Sequence, residues 1–198
     1  MNWQGGFYRK DIGYKVISLR GLILEPKDIK TRPLKDLTKE SIFNIIMHSK
    51  KFKIVLENSI ILDLFSGVGS FGIECLSRNV KKVIFVENYN GVLPILKRNL
   101  GNLNLNEKFS ILEYDIYEGN ILSKLENKFD IIFLDPPYKD KNLDKLLIEI
   151  NNQKILNEEG IVIIHRHKNE QDIIPKVFQI IEQKKYGISK ITFLSNLN

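Results

Sequence analysis

The chain contains 198 residues, of which 43% are hydrophobic, and it carries a formal net charge of +6 and a single cysteine. A chain of this length and apolar content can bury one full core, so we expect one soluble domain with a short appendage. The single cysteine excludes an internal disulfide and a cysteine-cluster metal site. The sequence has no secretory signal and no apolar run near the roughly 18 residues of a membrane span. We therefore expect a cytoplasmic protein that does not contact a membrane.

The positive charge is concentrated near the N-terminus. Residues 1–55 contain 12 Lys or Arg and 5 Asp or Glu, whereas residues 56–198 contain 18 and 19. A basic excess interleaved with aromatic residues is expected of a surface that contacts phosphates, and a solvated lysine-rich surface is the alternative. We predict a basic extension over residues 1–55 for docking nucleic acid, with a hairpin within Tyr14 to Leu24 and a helix from Leu37 to His48. Residues 56–198 are predicted to form the main domain.

A glycine-rich turn follows the first long apolar run of this domain. The segment Ile60 to Gly72 reads IILDLFSGVGSFG, which predicts a buried strand, a turn and then a helix from about Ser70 to Arg78. Gly67, Gly69 and Gly72 follow the G-x-G-x-x-G spacing, in which backbone amides can approach a ligand at a helix N-terminus. The spacing therefore indicates a nucleotide-cofactor loop.

Four predicted strands each end in an acid, namely Asp63, Glu87, Asp115 and Asp135. Ligands of a doubly wound sheet bind beyond the carboxyl ends of its strands. Four acids at that edge suit a cationic cofactor such as S-adenosylmethionine, although any one of them could be a solvated strand end. A nicotinamide dehydrogenase would explain the glycines and Glu87, but it would not explain the segment that follows.

The segment Phe129 to Tyr138 reads FDIIFLDPPY, an apolar strand that runs into an acid, two prolines and an aromatic residue. The prolines must end the strand because they cannot donate to a ladder, so Asp135 is placed at a strand tip before a stiff turn. The Asp135 carboxylate and the Pro136 carbonyl could accept both hydrogens of an exocyclic base amine. Tyr138 offers a face on which an extruded base can stack. A rigid surface turn is the alternative interpretation.

Two histidines flank an arginine near the end of a later apolar run. Gly160 is expected to introduce a fifth strand over Ile161 to Ile164, with His165 and His167 just past it. We interpret these histidines as ordinary strand-end polarity, and a rim that faces RNA is the alternative. They are too few to predict a metal site.

Together these segments resemble a known family. DLFSGVGSFGIECLSR, FVE, FDIIFLDPPYKDK, ILNEEGIVIIHR and KKYGISKITFL are similar to the bacterial small-subunit ribosomal RNA guanine-N2 methyltransferases of the RsmD type, from about Val16 onward. The resemblance implies an α/β, Rossmann-like class I methyltransferase fold with a seven-stranded, mostly parallel sheet and helices on both faces. Its last strand is antiparallel, and a closing hairpin is expected from about Val177 to Gln183 and Ile188 to Leu194.

The same resemblance implies the reaction and its participants. A methyl group of S-adenosylmethionine would pass to N2 of one guanine in 16S rRNA, as in 16S rRNA (guanine(966)-N(2))-methyltransferase, leaving S-adenosylhomocysteine. The RNA would be part of a small ribosomal subunit or its assembly intermediate, and a monomer without a metal is favoured. The implied residues around the methionine end of the cofactor are Asp63, Phe65, Gly67 and Gly69. Glu87 would contact the ribose and Asp115 the adenine. The implied catalytic residues, at the target base, are Asp135, Pro136, Pro137 and Tyr138.

Two other functions stay open from the sequence. The DPPY turn also fits a DNA methyltransferase acting on adenine N6 or cytosine N4, although the short N-terminal segment leaves little room for a module that reads duplex DNA. A noncatalytic RNA-binding assembly factor on a transferase scaffold is the second alternative. The family usually has more basic character where this chain has Leu22, Ile23 and Leu37, a difference that concerns RNA docking.

Overall fold

The computed structural model describes residues 7–8, 15–16, 34, 36–103, 105–118 and 120–197. Near the N-terminus, two short strands, β1 (Phe7–Tyr8) and β2 (Lys15–Val16), pair in antiparallel fashion. Apart from β2, the predicted hairpin within Tyr14 to Leu24 lies outside the described residues.

The rest of the described chain alternates between strands and helices. Short 3-10 turns occur at Leu56–Asn58, Asn106–Lys108 and Ile121–Lys124. The helices are α1 (Asp36–His48), α2 (Ser70–Ser77), α3 (Leu93–Gly101) and α4 (Leu143–Asn152). The strands are β3 (Ile60–Leu64), β4 (Lys82–Val86), β5 (Phe109–Leu112), β6 (Phe129–Leu134), β7 (Leu156–His167), β8 (Phe178–Tyr186) and β9 (Ser189–Asn196).

Strands β3 to β9 form one seven-stranded sheet in the order β5-β4-β3-β6-β7-β9-β8. Strands β3 to β7 pair in parallel, whereas β9 is antiparallel to both β7 and β8. The chain passes outward from β3 to β5 and then returns to the other side of β3 with β6, so the strand order reverses between β3 and β6. Ligands of doubly wound folds bind beyond this reversal point. The predicted seven-stranded sheet with an antiparallel last strand is confirmed.

Helices cover both faces of the sheet, as predicted. Helices α1, α2 and α3 pack on one face, and α4 packs on the other with leucines and an isoleucine at helical spacing. Stacked rings join α1 to the sheet. The ring centre of Phe133 in β6 lies 3.9 Å from that of Phe71 in α2, and the ring centre of Phe71 lies 5.4 Å from that of Phe43 in α1. Among the described residues, no helix has both the length and the apolar composition needed to cross a membrane.

Strand β7 differs from the prediction at both ends. It begins at Leu156 and ends at His167, so Gly160 lies within the strand, and His165 and His167 belong to it instead of following it. The reason is pairing with β9, whose ladder with β7 continues to the pair of His167 and Ser189. Backbone pairing with a neighbour thus keeps polar residues in a strand that hydropathy alone would end at Ile164.

Candidate active site

The glycine-rich turn after β3 has an unusual backbone. Phe65, Gly67 and Gly69 all have positive φ angles, of 58°, 56° and 86°. This region is open to glycine but strained for a bulky aromatic residue, and such strain is typical of functional turns. The Gly69 N–H donates to the Ser66 carbonyl at 2.8 Å, which closes the turn directly before α2.

Asp63 is hydrogen-bonded to the first turn of the helix that follows the glycine-rich turn. Its side chain is buried, and its Oδ2 accepts the Gly72 N–H at 2.9 Å. A Cβ atom at Gly72 would overlap the Phe85 ring and lie 2.9 Å from the same oxygen, so the close approach requires glycine. Burial raises the pKa of Asp63 well above its usual range, and the negative charges of Asp135 and Glu87 add to this effect. A cation bound nearby would relieve this crowding of negative charge.

Glu87 joins the end of β4 to the glycine turn. Its Oε2 accepts the Gly67 N–H at 2.7 Å, and its Oε1 accepts the N–H groups of Asn88 at 3.0 Å and Tyr89 at 2.8 Å. Three backbone donors hold this nearly buried carboxylate in one orientation. Lone pairs remain on Oε2 for a ligand hydroxyl, because each carboxylate oxygen can accept two hydrogen bonds.

Asp115 follows β5, and its side chain is hydrogen-bonded to Asn88, the residue after Glu87. Its Oδ2 accepts from the Asn88 side-chain amide at 2.7 Å, and its Oδ1 accepts the Tyr117 N–H at 2.9 Å. Asn88 therefore links the residues after β4 to those after β5. The predicted convergence of Glu87 and Asp115 at one edge of the sheet is observed.

An open cleft lies at this edge. It is lined by Phe65, Val86, Glu87, Asn88, Tyr114, Asp115, Ile116, Tyr117, Pro137 and Asp140. The cleft thus brings Phe65, Glu87 and Asp115 together with Pro137 of the DPPY turn. Asp63 lies behind the glycine turn and supports it, and Gly67 and Gly69 form that turn without lining the cleft.

Tyr117 connects the two sides of the cleft. Its O–H donates to Asp140 Oδ2 at 2.6 Å, and its ring centre lies 5.8 Å from that of Phe65. Partial burial raises the pKa of Tyr117, and the hydrogen bond to the Asp140 carboxylate raises it further. The hydroxyl therefore stays protonated and keeps donating near neutral pH.

The DPPY turn begins beside the end of β3. The Asp135 N–H points to the Leu64 carbonyl at 3.4 Å, and the Asp140 N–H donates to the Pro137 carbonyl at 2.9 Å. Pro136 is buried, whereas Tyr138 keeps 61% of its surface exposed. The turn thus contributes Pro137 to the cleft, Asp135 itself is not a lining residue, and the Tyr138 side chain is exposed to solvent.

Side chains of β7 contact the DPPY turn. His165 Nδ1 lies 2.8 Å from Asp135 Oδ1, and the His167 ring meets the Tyr138 ring edge-on at 5.5 Å between centres. The buried Arg166 guanidinium donates to the carbonyls of Pro137 at 3.0 Å and Asp140 at 2.8 Å. Three consecutive residues of β7 therefore contact three parts of one turn.

Arg166 is itself anchored in a buried ionic network. Its Nε donates to Asp172 Oδ1 at 3.0 Å, and Lys190 of β9 lies 3.3 Å from Asp172 Oδ2. Lys190 also donates to the Glu170 carbonyl. The Glu170 carboxylate lies 3.5 Å from the same guanidinium, which thus has two carboxylate partners and two carbonyl partners, as a buried charge requires.

The sequence suggested only strand-end polarity for His165 and no role for Arg166, Tyr117 or Asp140. A signal for His165 emerges once the register of β6 and β7 is known, because Ile164 lies beside Leu134, and His165 follows Ile164 as Asp135 follows Leu134. For Tyr117 and Asp140 we find no comparable signal, because both lie in irregular connections.

The residues around the cleft suit a cationic nucleoside better than a phosphate-bearing one. Carboxylates and aromatic rings make up much of the described lining, and no Lys or Arg is among those lining residues. A pyrophosphate would meet uncompensated negative charge there. The fold and this edge define a Rossmann-like class I methyltransferase scaffold, the class of S-adenosylmethionine-dependent enzymes.

Comparison with known proteins agrees with this class. The sequence profile of the family described as "Conserved hypothetical protein 95" matches residues 14–195, and the chain belongs to this family. The resemblance found from the motifs is confirmed.

Similar proteins include "Putative rRNA methyltransferase YlbH" of Bacillus subtilis strain 168, which is 34% identical over 164 residues, covering 81% of this chain and 85% of the relative. "Ribosomal RNA small subunit methyltransferase D" of Buchnera aphidicola subsp. Acyrthosiphon pisum is 31% identical over 185 residues, or 90% and 91% of the two chains. The solved structure of the rRNA methyltransferase aviRa from Streptomyces viridochromogenes shares the fold, with a TM-score of 0.68, 13% identity and coverage of 89% and 92%.

Proposed function

We propose that this protein is an RNA methyltransferase that transfers a methyl group from S-adenosylmethionine to the exocyclic N2 of a guanine in 16S rRNA. The observation that carries the proposal is the position of Asp135. Asp135 stands at the tip of β6, two residues before Pro137, which lines the cleft together with Glu87 and Asp115, and Asp135 Oδ1 lies 2.8 Å from His165 Nδ1. Within the part of the chain that the structure describes, no group donates to Oδ2, which is therefore open to a substrate amine.

The cofactor would occupy the cleft with its nucleoside near β4 and β5. Glu87 would accept from the ribose hydroxyls, Asp115 from the adenine amine, and the turn around Gly67 and Gly69 would face the methionine end. When bound, the cofactor supplies an electrophilic methyl group on a sulfonium. The carboxylate-rich edge suits that positive charge. Burial is the main cause that raises the pKa of Asp63, and the negative charges of Asp135 and Glu87 raise it further.

Transfer would be a direct displacement without a covalent enzyme intermediate. The amine nitrogen would form the new N–C bond, the C–S bond would break with its electron pair staying on sulfur, and the proton released from the nitrogen would pass to solvent water. Asp135 would accept a hydrogen bond from the amine and stabilise the positive charge that develops on it. Tyr138 would stack on the extruded base. Most of the rate would come from holding the amine and the methyl carbon in line.

The proposal of an RNA substrate is supported by the relatives whose names describe rRNA methyltransferases. The basic segment of residues 1–55 is proposed as the docking region and residues 56–198 as the cofactor domain. Within the former, α1 buries Ile42, Phe43 and Ile46 against the sheet-covering helices, which ties the segment to the domain. Leu37, at the start of α1, is 76% exposed, and Leu22 and Ile23 lie outside the described residues.

The test is methyl transfer from labelled S-adenosylmethionine to three substrates in parallel. These are small ribosomal subunits from a strain lacking the gene, 16S rRNA freed of protein, and naked duplex DNA. We expect label only in the ribosomal samples, and mass mapping should place it on one guanine. Label in DNA alone would replace the proposal with a DNA methyltransferase. Failure to bind S-adenosylmethionine in calorimetry would favour a noncatalytic assembly factor.

A further inference from the structure

His165 connects the DPPY turn to the antiparallel strand β9. Its Nδ1 lies 2.8 Å from Asp135 Oδ1, and its Nε2 lies 2.9 Å from the hydroxyl of Ser189. The side chains of His165 and Asp135 are 19% and 28% exposed, and Ser189 is buried. Three side chains from β9, β7 and the turn after β6 thus form one hydrogen-bonded chain.

The chemistry of the three groups decides the direction of these hydrogen bonds. A carboxylate can only accept, so the ring nitrogen that faces Asp135 must carry a hydrogen. In a neutral imidazole the other nitrogen is then an acceptor, and the Ser189 O–H is the donor that meets it. The Asp135 carboxylate therefore fixes the tautomer in which Nδ1–H points at Asp135, and the Ser189 hydroxyl satisfies and orients the other ring nitrogen.

Sheet pairing places the three groups within reach. Leu134 pairs with Ile164 across β6 and β7, so the next residues of the two strands, Asp135 and His165, lie side by side. Across β7 and β9, Ser189 pairs with His167, two residues beyond His165 on the same face of the sheet. The antiparallel direction of β9 brings its first residue to this edge.

We propose that His165 is a positioning residue for methyl transfer and that Ser189 acts through it. This inference rests on the proposed function and adds a residue to its mechanism. The Nδ1–H group occupies Oδ1 of Asp135 and so orients Oδ2 toward the substrate amine. Without this bond the partly exposed carboxylate can rotate, and it would face the amine in only part of the population.

The test uses two variants of His165 and one of Ser189. His165→Leu removes the donor, whereas His165→Asn places an amide N–H close to the position of Nδ1. We expect His165→Leu to lower kcat by about 10- to 100-fold, with KM for RNA and Kd for S-adenosylmethionine changed by less than about twofold. His165→Asn should recover most of the loss, which a merely structural role would not predict.

Ser189→Ala should lower kcat by about three- to tenfold alone but cause no further loss in the His165→Leu background, because Ser189 acts through the imidazole. Ser195→Ala is the matched control, since Ser195 lies toward the opposite end of β9 and pairs with Gln179. It should leave kcat unchanged. Melting curves of all variants show whether they fold.

The outcomes separate the inference from the proposed function. If His165→Leu and Ser189→Ala keep the wild-type kcat while Asp135→Ala is inactive, the positioning role is wrong and the proposed function stands. If His165→Leu does not fold, His165→Phe replaces it, because it keeps an aromatic ring but has no donor, and a wild-type kcat for both His165→Phe and Ser189→Ala overturns the inference. If the wild type transfers no methyl group to ribosomal RNA, the proposed function fails and the inference fails with it. If Asp135→Ala is fully active, Asp135 leaves the mechanism and the inference fails, while RNA methylation stands.

Discussion

The half of the site proposed to face the cofactor, which follows β3, β4 and β5, is held mainly by backbone N–H groups, whereas the half proposed to face the acceptor, residues 135–140, is held mainly by side chains of β7. Glu87 takes three backbone N–H groups, and Asp115 takes one from a residue two positions away. The DPPY turn is held instead by His165 and Arg166, which lie 26 to 30 positions later in the chain.

This difference explains why the contacts of the first half can be predicted from its motif, whereas those that hold the DPPY turn cannot. Backbone donors are supplied by any residue with the right geometry, so the cofactor half needs only glycines and acids at fixed spacings. The acceptor half needs particular side chains on β7, and their place is set by sheet order. We therefore expect variants of the two halves to affect different steps.

The largest expected effect concerns Arg166, which anchors the DPPY turn. Arg166→Met should lower the free energy of unfolding by about 3 kcal/mol, because it removes a buried charge from Asp172 and leaves two carbonyls without their donor. Lys190 still contacts Asp172, which limits the loss. Denaturant unfolding measures the change, with the exposed Arg98→Met as the control. Equal denaturant midpoints for Arg166→Met and Arg98→Met would show that the ionic network around Arg166 does not contribute to stability.

Asp135→Ala should separate the two halves most sharply. We expect the single-turnover rate of methyl transfer to fall at least about a hundredfold, since the substrate amine loses its acceptor. Binding of S-adenosylmethionine, measured by calorimetry, should stay near the wild-type value. A near-normal transfer rate would remove Asp135 from the mechanism.

Tyr138 tests stacking in the acceptor half. Tyr138→Ala should weaken transfer by about 1–3 kcal/mol, while Tyr138→Phe should be mild because stacking needs only the ring. The measurement is the rate of methyl transfer at subsaturating RNA, compared between the two variants and the wild type. Equal activity of the two variants would argue against a stacked base at this position.

The smallest predicted effect concerns the cofactor half. Glu87→Gln should weaken binding of S-adenosylmethionine by about tenfold, because a neutral amide replaces an acceptor that is oriented by three N–H groups. Affinity for RNA should not change. Calorimetry on the variant is compared with Glu158→Gln, an exposed residue of β7. A normal cofactor Kd for Glu87→Gln would place the ribose elsewhere.

The sequence by itself determined the parts that depend on local patterns. Apolar runs predicted β3, β4 and β6 to within a residue, because strands buried on both faces must be continuously apolar. The glycine spacing and strand-end acids predicted which groups meet at the edge of the sheet, since parallel strands end on the same side. Their roles toward a cofactor and a base stay predictions.

Tertiary structure alone decided what surrounds the DPPY turn. The sequence indicated only strand-end polarity for His165 and no role for Arg166, and only the pairing of β7 with both β6 and β9 places them against Asp135 and Pro137. The bond between Tyr117 and Asp140 likewise joins two irregular connections 23 positions apart. Such contacts depend on the order and register of strands, and these are set by packing the whole sheet and not by any local sequence pattern.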